Sequence, residues 1–248
     1  DWTNHNVFAA QIGTVAFVGT STSYVITDNG SSFYNLTFNG PDGVWSFASS
    51  TLDVNHDFLV ASGTVNMPTA TTTIGGSFDS STGTFVHNNS VIAFDSTSAG
   101  ETILTGTDAF LNNFYDLSFL GVGGGWTMAD VNATTSSQMV ISNGAVTFPT
   151  GSMALGASLD VASGSFDHNG GLVYFNAMSD LHTVSTNGSE FHDLLFDDGT
   201  IVASSWYDGN WPYRTQITVQ NAQVDETVSN FAVYVDLSDL GSEFFSRI

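Results

Sequence analysis

The chain has 248 residues, with 24 Asp and Glu against two Lys and Arg, so its formal net charge at pH 7 is −22. Phosphate backbones and anionic lipid headgroups repel such a charge, so we expect no nucleic-acid partner. The chain has no Cys, which excludes disulfides and thiolate metal sites. No apolar run approaches the roughly 18 residues of a membrane helix, so we expect no membrane insertion.

A hexapeptide with the alternation of a strand occurs three times along the chain. It reads FYNLTF at residues 33–38, FYDLSF at 114–119 and FHDLLF at 191–196. When residues 33–88 are shifted by 81 positions onto residues 114–169, 19 of 56 positions match without a gap. This self-similarity indicates an internal repeat of about 80 residues.

Each repeat predicts short strands joined by tight turns. In the first hexapeptide Tyr34, Leu36 and Phe38 alternate with polar residues, which is the period of a strand with one buried face. Between such segments lie pairs that supply the positive φ of tight turns, as at Asn29-Gly30 and Asn143-Gly144. No helical stripe precedes residue 200.

These patterns predict an all-β fold, a parallel β-helix-like solenoid with coils of about 20–27 residues. The competing architecture is a string of separate β-sandwiches, and the irregular spacing of the turns favours the solenoid. We assign residues 1–204 to the solenoid and residues 205–248 to the start of a β-sandwich-like domain. The expected repeats span about 1–83, 84–164 and 165–200.

The C-terminal segment differs in character from the repeats. WYDGNWPYRTQITV occupies residues 206–219 and is followed by the alternating strand pattern SNFAVYVDL. The spacing W-x₄-W-x-Y-R, an I-x-V strand and this pattern resemble the opening of a domain of unknown function. That domain occurs in large bacterial and archaeal surface proteins, often beside a concanavalin-A-like lectin domain. The resemblance implies that the domain continues past Ile248.

The repeat region also has a resemblance. FDHNGGLVYF at residues 166–175 and the hexapeptides are similar to the F-x-H-N-x-G-x-V-x-F and F-Y-N-L-x-F repeats of large secreted proteins from uncultivated bacteria and archaea. Together the two resemblances imply an extracellular or cell-surface fibre protein. Neither implies a set of catalytic residues.

The sequence therefore predicts a structural, non-enzymatic protein that forms the shaft of a surface filament, stalk or adhesin. It would assemble with copies of itself head-to-tail, through solenoid ends or strand addition, or adjoin other domains of a longer surface protein. A β-helix polysaccharide lyase or hydrolase is a weaker alternative. No cation precedes Arg214, so the repeats lack the Arg or Lys base that the lyase mechanism uses.

A carbohydrate-binding adhesin module is the second alternative. Its glycan platform would be an aromatic cluster able to stack on sugar rings, formed by Trp206, Tyr207, Trp211 and Tyr213. The competing interpretation is that these rings seal the junction between the solenoid and the C-terminal segment.

Turn residues supply the remaining candidate sites. Calcium would suit the oxygen ligands of Asp-rich turns, namely Asp28, Asp197, Asp198 and Asp208. Such turns also occur without metal, and no cofactor is required. His87 and His168, each followed by Asn, predict turn capping or a polar ladder rather than a metal site. Asn29 and Asn187, in N-x-S sequons within turns, are candidate glycosylation sites.

Overall fold

The structure is a computed structural model that describes residues 1–106, 113–176 and 183–196. The chain divides into two units, residues 1–214 and 215–248, and all described residues belong to the first. The predicted domain at 205–248 lies outside the described residues. The described part contains strands and no helix, hence no helix that could cross a membrane.

The strands are short and follow one another closely along the chain. In chain order they are β1 (Trp2–Thr3), β2 (Thr14–Phe17), β3 (Tyr24–Thr27), β4 (Asn35–Phe47), β5 (Thr51–Val54), β6 (Phe58–Asn66), β7 (Thr71–Ile74), β8 (Phe78–Asp79), β9 (Thr84–Val86), β10 (Val91–Phe94), β11 (Ala99–Leu104), β12 (Asp116–Phe119), β13 (Gly125–Met128), β14 (Asn132–Thr135), β15 (Met139–Ile141), β16 (Ala145–Thr147), β17 (Ser152–Leu155), β18 (Leu159–Val161), β19 (Ser165–Asp167), β20 (Leu172–Phe175), β21 (Val184–Ser185) and β22 (Asp193–Phe196).

Each strand pairs with the strand one coil away, and the pairs are parallel. Leu36 lies beside Phe58, Phe58 beside Phe78, and the next strand in this row places Ile103 beside Phe78. These partners are 22, 20 and 25 residues apart (58 − 36, 78 − 58 and 103 − 78). The fold is a β-solenoid of about 9 turns. The prediction of a solenoid is confirmed, and separate sandwiches are not what the described residues form.

Three sheets form the walls of the solenoid, with eleven, seven and four strands. Strands β14, β17, β20 and β22 form the four-stranded sheet and take the place in the coil that β3 and β9 hold earlier. The hexapeptide copies fall in different sheets: the first in β4 of the eleven-stranded sheet, the second in β12 of the seven-stranded sheet, and the third in β22. The repeat in sequence is therefore rotated around the axis of the solenoid.

The core consists of side chains that stack from coil to coil. Inward positions of the first hexapeptide, Leu36 and Phe38, have no exposed surface. Phenyl rings of successive coils lie nearly parallel with their centroids 4.8–5.4 Å apart in Phe17–Phe38, Phe58–Phe78, Phe94–Phe119, Phe148–Phe166 and Phe175–Phe196. Each fully buried ring contributes about 1.5–3 kcal/mol to folding, so the stack supplies much of the stability.

Two glycines mark a corner where the backbones of neighbouring coils approach closely. Gly63 has φ +82°, and a Cβ there would lie 2.6 Å from the Gly40 carbonyl oxygen and 2.7 Å from the Trp45 ring. Its repeat equivalent Gly144 has φ +75°, and a Cβ would lie 2.6 Å from the Trp126 ring. The recurring glycines of the sequence are therefore needed both for φ and for space.

Candidate functional site

Four turns share a design in which an asparagine ties neighbouring coils together. Each Asn has φ between 48° and 53°, a left-handed conformation that Asn tolerates better than most residues. Its Nδ2 donates to a backbone carbonyl of the previous coil, in the pairs Asn29–Asn6 (3.3 Å), Asn88–Met67 (2.7 Å), Asn169–Phe148 (3.2 Å) and Asn187–Gly164 (3.0 Å). An Asn-Gly pair predicts the turn at three of the four sites, and Asn88 is followed by Asn89, but neither pair indicates the bond between coils.

Two histidines cap these turns. The Nδ1 atom of His87 accepts a hydrogen bond from the Asn89 backbone N–H at 2.9 Å, and that of His168 accepts one from Gly170 at 2.8 Å. Burial lowers the pKa of His87, which favours the neutral imidazole that this bond requires. The predicted capping role of both histidines is confirmed.

Asp28 is the predicted calcium ligand that lies within the described residues. Its side chain is 2% exposed and accepts hydrogen bonds from the Ser49 hydroxyl and, at 3.2 Å, from the Gly30 backbone N–H. Both carboxylate oxygens thus have protein partners. Among the described residues, no group of three or more His, Cys, Asp and Glu is placed to hold a metal ion. Calcium binding stays a prediction.

The remaining calcium candidates and the sugar-platform candidates lie outside the described residues. They are the acidic candidates Asp197, Asp198 and Asp208 and the aromatic candidates Trp206, Tyr207, Trp211 and Tyr213. Both sets therefore stay predictions.

Asn29 and Asn187 are exposed, as their prediction as glycosylation sites requires. The Nδ2 atom of each, to which a glycan would be joined, donates a hydrogen bond to the preceding coil. An unmodified amide has two N–H groups and a glycosylated one has one. Modification at either site must therefore leave that remaining N–H on the carbonyl of the neighbouring coil, or lose the bond.

The second residue of each hexapeptide packs against a histidine from another coil, with the rings stacked in the first two pairs and tilted by 41° in the third. The pairs are Tyr34–His56 (centroids 5.0 Å apart), Tyr115–His87 (5.5 Å) and His192–His168 (5.4 Å). The sequence leaves His56 and His192 without an assigned partner. Because the three copies lie in different sheets, the same surface pair recurs around the solenoid.

Two carboxylates lie near each other at the seven-stranded sheet, and the charge of Asp95 affects Asp53. Asp53 lies beside Thr73, which lies beside Ala93, two residues before Asp95. Burial raises the pKa of Asp53, and the Asp95 carboxylate raises it further. Burial also raises the pKa of Asp95, against a lowering effect of a hydrogen bond from its own backbone N–H. The sequence does not pair Asp95 with another acid, whereas the structure pairs it with Asp53.

Beyond the strand ends, side chains form hydrogen bonds to backbone N–H groups of the next coil. Asn35 Oδ1 accepts from the Asp57 backbone N–H at 3.2 Å, and Asp57 Oδ1 accepts from the Ser77 N–H at 3.0 Å. Ser77 Oγ then accepts from the Thr102 N–H at 3.0 Å. At each of three successive steps, one side chain thus accepts a hydrogen bond from the backbone of the next coil.

A surface cleft of about 240 Å³ spans three coils beside the end of β4. The Phe47 ring lines it, is partly exposed, and packs edge-on against the buried Phe38 ring with centroids 6.2 Å apart. The polar residues Ser46, Ser50, Asn66, Thr69 and Asn88 also line the cleft. None of the lining residues is charged, so the cleft differs from the acidic chain around it.

Comparisons of this chain with protein-family models, with curated proteins and with solved structures give no match. The resemblances drawn from the C-terminal segment and from the repeats therefore stay predictions.

Proposed function

We propose that this chain is a structural extracellular protein whose solenoid forms the shaft of a cell-surface filament, stalk or adhesin. The observation that carries the proposal is the row of parallel pairings from Thr14 in β2 to Asp167 in β19, which joins each coil to the next. Each coil contacts its neighbours, so such a stack extends along one axis as coils are added. A stack of this kind suits a rod rather than a globular binding domain.

We propose that the outer edge of the first coil is where a second copy, or an adjoining segment of a longer surface protein, would pack. Among the described strands, β1 pairs with β3 and β2 pairs with β4, and neither has a partner on its other edge. Val7, Ile12 and Val18 in this coil are 89%, 81% and 63% exposed. Residues 2–27 contain no Asp or Glu, so a second acidic copy meets little repulsion there. Head-to-tail contact at this edge would be heterologous and would propagate as a fibre.

Electron microscopy of the purified chain, with and without EDTA, tests the proposal. We expect filaments with a regular axial repeat, and their loss in EDTA would place calcium at the joints. Ile12→Lys and Val18→Lys should prevent assembly, whereas Val131→Lys, at a valine 66% exposed outside the first coil, should not. Discrete particles in both conditions would contradict head-to-tail assembly.

A carbohydrate-binding adhesin module is a second candidate function. The uncharged cleft around Phe47 is the observation that favours it, because sugar sites combine an apolar ring with a few placed polar groups.

A further inference from the structure

We propose that the cleft around Phe47 binds a neutral saccharide, with the phenyl ring under the sugar and the surrounding amides and hydroxyls on its OH groups. The inference rests on the carbohydrate-binding candidate and does not require the filament. The residues that line this cleft are not those of the aromatic cluster that the sequence predicts at Trp206.

The floor of the cleft is a fixed apolar surface. The ring of Phe47 packs against the buried ring of Phe38 with an angle of 83° between the two planes, and Phe47 remains partly exposed. Met67, which is 2% exposed, lines the cleft beside it. A ring held in this way presents its apolar surface without losing further side-chain freedom on binding, which favours stacking against the C–H face of a sugar.

The walls are polar and already oriented. Asn66 Nδ2 donates to the Trp45 carbonyl and to Ser46 Oγ, both at 3.3 Å, and Asn88 Nδ2 donates to the Met67 carbonyl at 2.7 Å. The Oδ1 atom of each amide is left without a partner among the described residues. Two fixed acceptors beside serine and threonine hydroxyls form the set of groups that neighbouring sugar OH groups can satisfy.

Charge selects the class of ligand. The lining has no carboxylate to attract a metal ion or an amine and no cation to attract an acid. The net charge of −22 repels anionic ligands from the whole surface. A neutral polyhydroxyl compound is therefore the ligand class that the cleft accepts without an electrostatic penalty.

The cleft is particular to the first repeat. The sequence shift of 81 places Met128, Asp130 and Val131 where the first repeat has Phe47, Ser49 and Ser50. Met128 is 2% exposed, so no open ring lies at that corner, and Val131 is 66% exposed. The features that suit a sugar are thus not a necessary result of the coil geometry.

Saturation-transfer NMR with glucose, galactose, mannose and N-acetylglucosamine tests the inference, with glucuronic acid as the charged comparison. We expect saturable binding of at least one neutral sugar and weaker binding of glucuronic acid. Phe47→Leu keeps an apolar side chain but removes the ring, and Asn88→Ala removes one amide. Each should weaken binding about fivefold or more, the effect of one lost hydrogen bond or stacking contact.

Asn169→Ala is the matched control, because Asn169 makes the same turn and the same bond to the preceding coil but lies away from the cleft. It should lose as much thermal stability as Asn88→Ala and leave sugar binding unchanged. Absence of binding by all four neutral sugars up to about 50 mM would overturn the inference. So would binding that Phe47→Leu and Asn88→Ala leave unchanged, because the sugar would then lie elsewhere. Phe47→Leu should still form filaments in the electron microscope. Loss of sugar binding and loss of filament assembly can therefore be told apart.

Discussion

Asp130 accepts two hydrogen bonds from Thr105, one coil earlier: the backbone N–H at 2.5 Å and the side-chain hydroxyl at 2.9 Å reach the same Oδ2 atom. At the equivalent corner of the first repeat the acid is on the other coil. There the Ser49 hydroxyl donates to the carboxylate of Asp28, and Ser49 is the residue that the shift of 81 places on Asp130. The two repeats keep one bond between coils with donor and acceptor exchanged.

We expect that the arrangement of Thr105 and Asp130 can be introduced at Asp28 and Ser49. Ser49→Asp alone places a carboxylate against Asp28 and should lower the free energy of unfolding by about 1.5–3 kcal/mol, the range for a lost hydrogen bond to a charged group. Adding Asp28→Thr recreates the arrangement of Thr105 and Asp130 and should recover most of the loss. Thermal melts followed by circular dichroism measure both. A double variant that is less stable than Ser49→Asp would contradict the exchange.

Asp53 and Asp95 should make stability fall as pH rises. The pKa of each carboxyl is above its usual value in the folded chain, so the folded state holds its proton over a pH range in which the unfolded state has lost it. The resulting stability is present below the unfolded pKa and is lost as pH rises through the folded pKa. Asp53→Asn should therefore raise Tm at pH 7 and have little effect near pH 3. Asp160→Asn, on the same sheet, is the control and should raise Tm less.

His87 should have the opposite dependence. Burial lowers its pKa, so the unfolded chain takes up a proton at a pH where the folded chain does not. The contribution of His87 to folding stability is present above the unfolded pKa. It is lost as pH falls from there through the lower, folded pKa. His87→Asn keeps an acceptor for the Asn89 N–H without a group that titrates near neutrality. Between pH 7.5 and pH 5, a range that includes the pKa of about 6.5 of a free His, we expect Tm to fall less for this variant than for the unmodified chain. Equal falls would contradict this account.

Gly144 and Gly170 separate the effect of φ from that of space. Both have φ +75°, but a Cβ at Gly144 would lie 2.6 Å from the Trp126 ring, whereas one at Gly170 would have nothing within 4 Å. Gly170→Ala should cost about 1–2 kcal/mol from backbone strain alone. Gly144→Ala must also move the ring or the coil and should lower Tm by several degrees more. Similar melting temperatures for the two variants would show that the Trp126 ring or the neighbouring coil moves aside at little cost, contrary to the prediction.

The amino-acid sequence alone determined the class of fold and its internal repeat. Alternation around Leu36 and Phe38 indicated strands, the glycine pairs indicated tight turns, and the shift of 81 indicated repetition. The strand and turn signals are local, extending over two to six residues, and the repeat is found by comparing the chain with itself, so all three can be recognised without knowledge of the coil. For His87 and His168 the sequence predicted turn capping or a polar ladder, and the bonds to Asn89 and Gly170 that show capping appear only in the structure.

Only the tertiary structure decided which residues meet across coils. Three coils separate Leu36 from Ile103, in steps of 22, 20 and 25 residues. Leu117, the residue of the second hexapeptide that corresponds to Leu36, lies in another sheet. The bond of Asn88 to Met67, the pairing of Asp53 with Asp95 and the cleft at Phe47 all depend on these steps. The length of each step is set by the number of residues in its turns and by register shifts within paired strands, as between β4 and β6 and between β11 and β13. Strand periodicity carries no information about that length, so contacts one coil away appear only when the coils are stacked.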